Sequence, residues 1–123
     1  MPVVGGRAHG LVKEYHTNGQ LAVETPTENG YMHGLIKRWA TDGRILGEFS
    51  MEHGSGVVKL WHDNGILFSE ASMIKGVLTG RQRAWDENGE LAHTTFWLNG
   101  KRMTRKKYLK ACGLNPDLPQ YSD

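Results

Sequence analysis

The sequence predicts a mainly β protein, an elongated antiparallel meander of four β-hairpin repeats closed by a short C-terminal helix. Three observations predict it. Glycine supplies 16 of the 123 residues, against a usual share of about 7%. Twelve of these glycines recur in three columns: Gly10, Gly34, Gly56 and Gly80; Gly19, Gly43, Gly65 and Gly89; Gly30, Gly54, Gly76 and Gly100. Successive spacings are 24, 22 and 24 residues in each column, and an aromatic column (Tyr15, Trp39, Trp61, Trp85) and an aliphatic one (Leu21, Ile45, Leu67, Leu91) keep the same register. A fixed period of this length marks a repeat architecture in which each unit rests on its neighbours. The short middle step has a local cause, since only Ser55 separates Gly54 from Gly56 where other copies have three residues.

Each copy reads as a hairpin. Segments 11–16, 35–40 and 57–62 are strand-length and bounded by turn residues, and the second strands are expected at 20–25, 44–49, 66–71 and 90–95. Between them lie Asn18-Gly19, Asp42-Gly43, Asn64-Gly65 and Asn88-Gly89, dipeptides that tolerate the positive φ of tight reversals. The third glycine column then turns the chain into the next copy, giving eight short strands. Thr104 stands where a fifth first-column glycine would fall, and residues 105–112 suit a helix with Thr104 as N-cap and Gly113 as its stop. Tyr108, Leu109 and Cys112 are spaced to share a face of that helix, which caps the open sheet against edge-to-edge pairing. The chain is thus one domain, 1–123, with repeats at about 7–30, 31–54, 55–76 and 77–100, a helix at about 104–112 and a tail over 113–123.

The recurring strings Gly-Leu-Ile-Lys-Arg-Trp with Asp-Gly-Arg-Ile-Leu, and Gly-Val-Val-Lys-Leu-Trp with Asn-Gly-Ile-Leu, resemble the MORN repeat. More narrowly they are similar to the bacterial MORN-repeat variant of proteins called YwqK-family antitoxins, over about residues 5–103. The resemblance implies hairpins in an elongated, twisted sheet, and binding to other proteins, self-association or lipid contact; it implies no catalytic residues. The fourth copy departs from the pattern at Arg81 and Gln82, where earlier copies carry apolar pairs.

Composition bounds the function. Hydrophobic residues are 38%, charged residues 23% and mean hydropathy is −0.52, which suits a folded chain with a thin core. No apolar run is long enough for a membrane-spanning helix, and the start lacks the basic and apolar regions of a secretory signal, so a cytoplasmic protein is expected. A single cysteine, Cys112, excludes an internal disulfide framework and a thiolate zinc cluster within the chain. No nucleophile elbow and no phosphate-cradling strand-to-helix loop is present, so the reading is non-enzymatic with no cofactor. His9 and His33 share one repeat position and His16 and His62 another, but Ser55, Thr79 and Ala40 interrupt these columns, so no metal is expected.

Candidate binding residues come from charge. Lys13, Lys37, Lys59 and Arg83 stand two residues before each aromatic, on the same strand face, opposed by Glu24, Glu48, Glu70 and Thr94. Two readings stay open at a register uncertain by one residue: cross-strand pairing, with alkyl stems over the rings, or a basic stripe for an acidic partner. The rings themselves suit core packing better than a stacking platform, because a thin protein needs its largest side chains buried. Residues 101–110 hold Lys101, Arg102, Arg105, Lys106, Lys107 and Lys110 and no acid, whereas residues 1–100 carry 9 bases and 11 acids. The leading expectation is a module that binds another protein, in the family reading a toxin. Nucleic acid or anionic lipid on the 101–110 segment and a self-assembling scaffold or homodimer are the rivals.

Overall fold

The computed structural model describes residues 3–4, 7–8 and 10–121. In chain order the elements are β1 (Val3–Val4), β2 (Arg7–Ala8), β3 (Gly10–Tyr15), β4 (Leu21–Glu28), β5 (Tyr31–Met32), β6 (Gly34–Trp39), β7 (Ile45–Glu52), β8 (Ser55–Trp61), β9 (Leu67–Ile74), β10 (Val77–Trp85), β11 (Leu91–Leu98), β12 (Lys101–Met103) and α1 (Arg105–Leu114). β1 and β2 form a pair of their own. The remaining ten strands form one antiparallel sheet in the order β12, β11, β10, β9, β8, β7, β6, β4, β3, with β5 pairing β4 ahead of β6. The four hairpins β3–β4, β6–β7, β8–β9 and β10–β11 are the four sequence repeats. The expected eight strands are too few: β5 and β12 extend the sheet, and every second strand runs three residues further than expected.

The reason is the turn chemistry. Asn29-Gly30, His53-Gly54, Lys75-Gly76 and Asn99-Gly100 all have positive φ at both residues, near +50° and +80°. That is the two-residue type I′ turn, which lets both strands run right up to it. The expected place for such turns was the second column, and this is corrected. At Asn18-Gly19 only the glycine takes positive φ, His16 N–H donates to Gln20 O at 2.8 Å and Gly19 N–H to His16 O at 2.9 Å. This is a three-residue loop, a type I turn closed by a left-handed glycine. Asn18 serves it by its side chain, whose Oδ1 accepts from Gln20 N–H at 3.0 Å. Lys75, exposed and left-handed at φ +50°, carries strain of about 1 kcal/mol that Asn or Gly carries less of. Lys75→Asn is expected to stabilise the fold by about 0.5–1 kcal/mol, read as a rise in Tm of about 2–5 °C.

The core is not the aromatic column. It is Val23, Ile36, Phe49 and Met51, with Ala22, Met32, Val58, Trp61 and Met73 against it. Each column aromatic stands where its hairpin slips register, at Glu14/Tyr15, Arg38/Trp39, Leu60/Trp61 and Ala84/Trp85. A bulge re-aims side chains, and the four rings diverge in environment. Tyr15 is 60% exposed, Trp85 lies 5.2 Å from the Arg83 guanidinium, and Trp61 spreads over Gly47, where a Cβ would fall 2.3 Å from the ring.

A second cluster forms at the end of the chain. Thr104 caps α1 as expected, its side chain accepting from Lys107 N–H at 3.2 Å. The helix runs through Gly113 to Leu114 and Asn115 is its C-cap, correcting the expected stop. Tyr108 and Cys112 are buried but Leu109 is 37% exposed, so the shared face holds the i, i+4 pair alone. The expected loose tail is also corrected: Leu118 and Tyr121 join Phe96, Tyr108 and Cys112, and Tyr108 Oη donates to Pro119 O at 2.7 Å. Helix and tail together cover a face of the last hairpin, beyond the edge-capping role expected of the helix. No helix among the described residues is long and apolar enough to cross a membrane.

Candidate functional site: an arginine cleft at the end of the array

The register resolves the charge columns. Lys13 faces Glu24, Glu24 faces Lys37 and Lys37 faces Glu48; Lys59 faces Glu70, Glu70 faces Arg83 and Arg83 faces Thr94. The bases and acids alternate across the sheet, so Lys13, Lys37 and Lys59 each sit opposite a carboxylate and the column is no basic stripe. The closest pair is Arg83 with Glu70, whose Oε1 accepts from both Nε, at 3.0 Å, and Nη2. Only at Thr94 does the alternation end without an acid, so the positive charge on this rung is left over at the fourth copy.

Both margins of the sheet are laced by side chains. On one, His16 Nε2 meets Trp39 O at 2.9 Å and His62 Nε2 meets Trp85 O at 2.8 Å, while Asn18 Nδ2–H donates to Thr41 O and Asn64 Nδ2–H to Glu87 O. On the other, the residue before a first-column glycine accepts a backbone N–H from the next turn: His53 N–H to His33 Nδ1, Lys75 N–H to Ser55 Oγ, Asn99 N–H to Thr79 Oγ1. The histidine columns are therefore clasps between copies. His9 lies outside the described residues.

Glu28, His33 and His53 place ligand atoms within 4.8 Å of one another. Yet His33 Nδ1 accepts the His53 N–H, which puts the imidazole proton on Nε2, 3.5 Å from Glu28 Oε2. A cation on Nε2 needs the opposite tautomer, so this trio is built as a turn clasp.

A concave feature rich in arginine lies between β10, β11, β12 and the start of α1. It is a cleft of about 540 Å³ whose lining includes Arg81, Arg83, Arg102 and Arg105. Thr94, Thr95 and Thr104 supply hydroxyls, Leu91, Phe96 and Met103 supply apolar wall, and none of the described residues that line it is acidic. Glu70 fixes Arg83. The Arg81 guanidinium lies 4.2 Å above the Tyr121 ring, and the Arg81 backbone N–H donates to Tyr121 Oη at 2.8 Å. Arg102 and Arg105 are exposed, as are Lys101, Lys106, Lys107 and Lys110 on β12 and α1. Of the candidate binding residues named from sequence, the fold brings Arg83, Arg102 and Arg105 together and leaves Lys13, Lys37 and Lys59 along the sheet. Arg81 was missed as a lining residue of this cleft, although its replacement of an apolar residue in the repeat was the available signal.

Residues 8–29 match the family model of the MORN repeat variant. That match spans the first hairpin, and the three later hairpins repeat its columns, which supports a MORN-type repeat array. No curated protein and no solved structure matches the chain.

Proposed function

We propose that this chain is a non-catalytic, cytoplasmic interaction module that holds an acidic segment of a protein partner in the arginine cleft. One observation carries the reading: the bases along the sheet face carboxylates, whereas Arg102 and Arg105, both exposed, line one concave site with Arg81 and Arg83 and no acidic residue among the described residues of its lining. Charge complementarity of this kind steers association and selects partners. The repeat array supports a binding or scaffold role, since hairpins stacked in one dimension present a long surface of defined shape. In its finer form, supported by the resemblance to YwqK-family antitoxins, the partner is a toxin masked by stoichiometric binding.

The test is affinity capture with the full-length protein and with Arg102→Glu/Arg105→Glu, both at exposed positions. A protein partner retained at moderate salt by the native chain, and depleted about tenfold by the variant, is the expected result. Recovery of nucleic acid or lipid alone, falling steeply with salt, would replace this reading with direct binding by the six bases of residues 101–110. Equal capture by both proteins would remove the cleft from the interaction.

A further inference from the structure

We infer that His33 is a proton-operated clasp: the neutral ring holds the turn that follows the second hairpin, and the charged ring releases that turn and pairs with Glu28 instead. The clasp belongs to the margin where the type I′ turns stack and is independent of the arginine cleft. Along that margin the residue before each first-column glycine accepts a backbone N–H from the next turn: His33 Nδ1 from His53 at 3.0 Å, Ser55 Oγ from Lys75 at 2.9 Å and Thr79 Oγ1 from Asn99 at 3.2 Å. The three acceptors share one task and differ in chemistry. A hydroxyl oxygen keeps its lone pairs at any ordinary pH, whereas imidazole ordinarily takes up a proton between about pH 5 and about pH 8. Because the His53 N–H occupies the Nδ1 lone pair, the neutral ring carries its proton on Nε2. An added proton has only Nδ1 to go to, and it leaves two N–H groups facing each other where one bond was.

The ring is placed to act on that proton. Its side chain is 34% exposed, so solvent reaches it, and Glu28 Oε2 lies 3.5 Å from Nε2. A carboxylate at that distance favours the charged ring. The His53 ring stands with its centroid 4.2 Å away and repels its neighbour when both are charged. These are the titratable groups that the described residues place against His33, one on β4 and one on the turn between β7 and β8. Each state of the clasp thus has its own partner, the turn N–H for the neutral ring and the carboxylate for the charged one. A proton-driven switch needs two such arrangements. The bond to the turn is whole above the histidine range and is lost as pH falls through it.

The histidines of the other margin run in the opposite sense. His16 Nε2 and His62 Nε2 meet the carbonyl oxygens of Trp39 and Trp85, which only accept, so each ring donates there in either charge state. Release at His33 is also local. The turn that leads from the second hairpin into the third stays joined to the margin by Gly54 N–H to Met32 O at 2.8 Å, while His33 keeps its own N–H on Pro26 O at 3.0 Å. Acid therefore loosens one turn of the stack and leaves the sheet paired.

Amide hydrogen exchange of the full chain, read residue by residue by NMR with a chelator present, tests this. The Lys75 and Asn99 amides, held by hydroxyls, are internal references at every pH. Protection of the His53 amide relative to these two is expected to fall about fivefold between about pH 7.5 and about pH 5, the loss of one hydrogen bond. The imidazole nitrogen shifts of His33 are expected to place the proton on Nε2 at about pH 7.5 and on both nitrogens at about pH 5. His33→Ser, with folding checked by circular dichroism, installs the acceptor that the third copy uses, and its His53 protection is expected to follow the references at every pH. His53→Asn removes the second ring, keeps a residue suited to positive φ and is expected to retain the fall at position 53. His53 protection that follows the references in the native chain overturns the proposal. So does the same fall in His33→Ser, its disappearance in His53→Asn, or a proton on Nδ1 of His33 at about pH 7.5.

Discussion

Tyr108→Ala is expected to lower the unfolding free energy by about 3–5 kcal/mol, measured by chemical denaturation. The Tyr108 ring is 0% exposed, with its centroid 5.4 Å from that of Phe96 and 6.0 Å from that of Tyr121. Truncation empties the middle of the cluster that fastens α1 and the tail to the last hairpin, and it removes the donor to Pro119 O. Tyr108→Phe isolates the hydroxyl and is expected to cost about 1–2 kcal/mol. The same residue sets an alkaline limit. Burial first, and then the neighbouring Cys112, push its phenol well above the usual tyrosine range. The unfolded chain gives up this proton at about pH 10 while the folded chain keeps it, so the contribution to stability is whole below that pH and is lost as pH rises beyond it. In Tyr108→Phe the decline above about pH 10 flattens.

Gly54→Ala carries the second large effect, an expected loss of about 2–4 kcal/mol. Gly54 has φ +81°, and a Cβ there would lie 2.7 Å from the Tyr31 ring, 2.8 Å from Gly76 N and 3.2 Å from Lys75 C. Two of these neighbours are backbone of the next type I′ turn, bonded to Gly54 through Gly76 N–H to Gly54 O at 3.0 Å, so neither can swing aside. Gly19→Ala is the matched control: φ is +87° but nothing lies within 4 Å of its Cβ. It is expected to cost only the left-handed strain, about 1–2 kcal/mol. Thermal melts of the two variants separate turn stacking from backbone strain, and equal melting temperatures would show that stacking contributes nothing.

The repeat, the number of hairpins, the N-cap at Thr104 and the helix were legible because each rests on local chemistry with a period. The exchange of turn types between the second and third glycine columns was not. His53 and Lys75 adopt positive φ at positions where neither residue is a usual choice, and there the stacked neighbouring turn overrides local preference. The role of the tail was hidden for a similar reason: Tyr121 reaches Arg81 across a sequence separation of 40 residues, and no periodicity reports a contact made once. The cleft was half legible. The basic run of residues 101–110 and Arg83 were evident, yet only the hairpin register and the start of α1 bring Arg81 and Arg83 beside Arg102 and Arg105.

The seams between hairpins are unequal in the length of their ladders. β4 and β6 share two register pairs, and so do β7 and β8, Met51 with Gly56 and Glu52 with Ser55, whereas β9 and β10 share five. Between β7 and β8 the two halves are also tied by Trp61 against Phe49 and Gly47, by Arg44 Nη2 to Asp63 O at 2.9 Å and by Gly76 N–H to Gly54 O at 3.0 Å. Two ladder pairs and these contacts therefore join the plate of the first two hairpins to the plate that begins at β8. The arginine cleft belongs wholly to the plate that begins at β8. The spacing of the four arginines is therefore set within β10, β11, β12 and α1, with no residue of the first two hairpins in the lining.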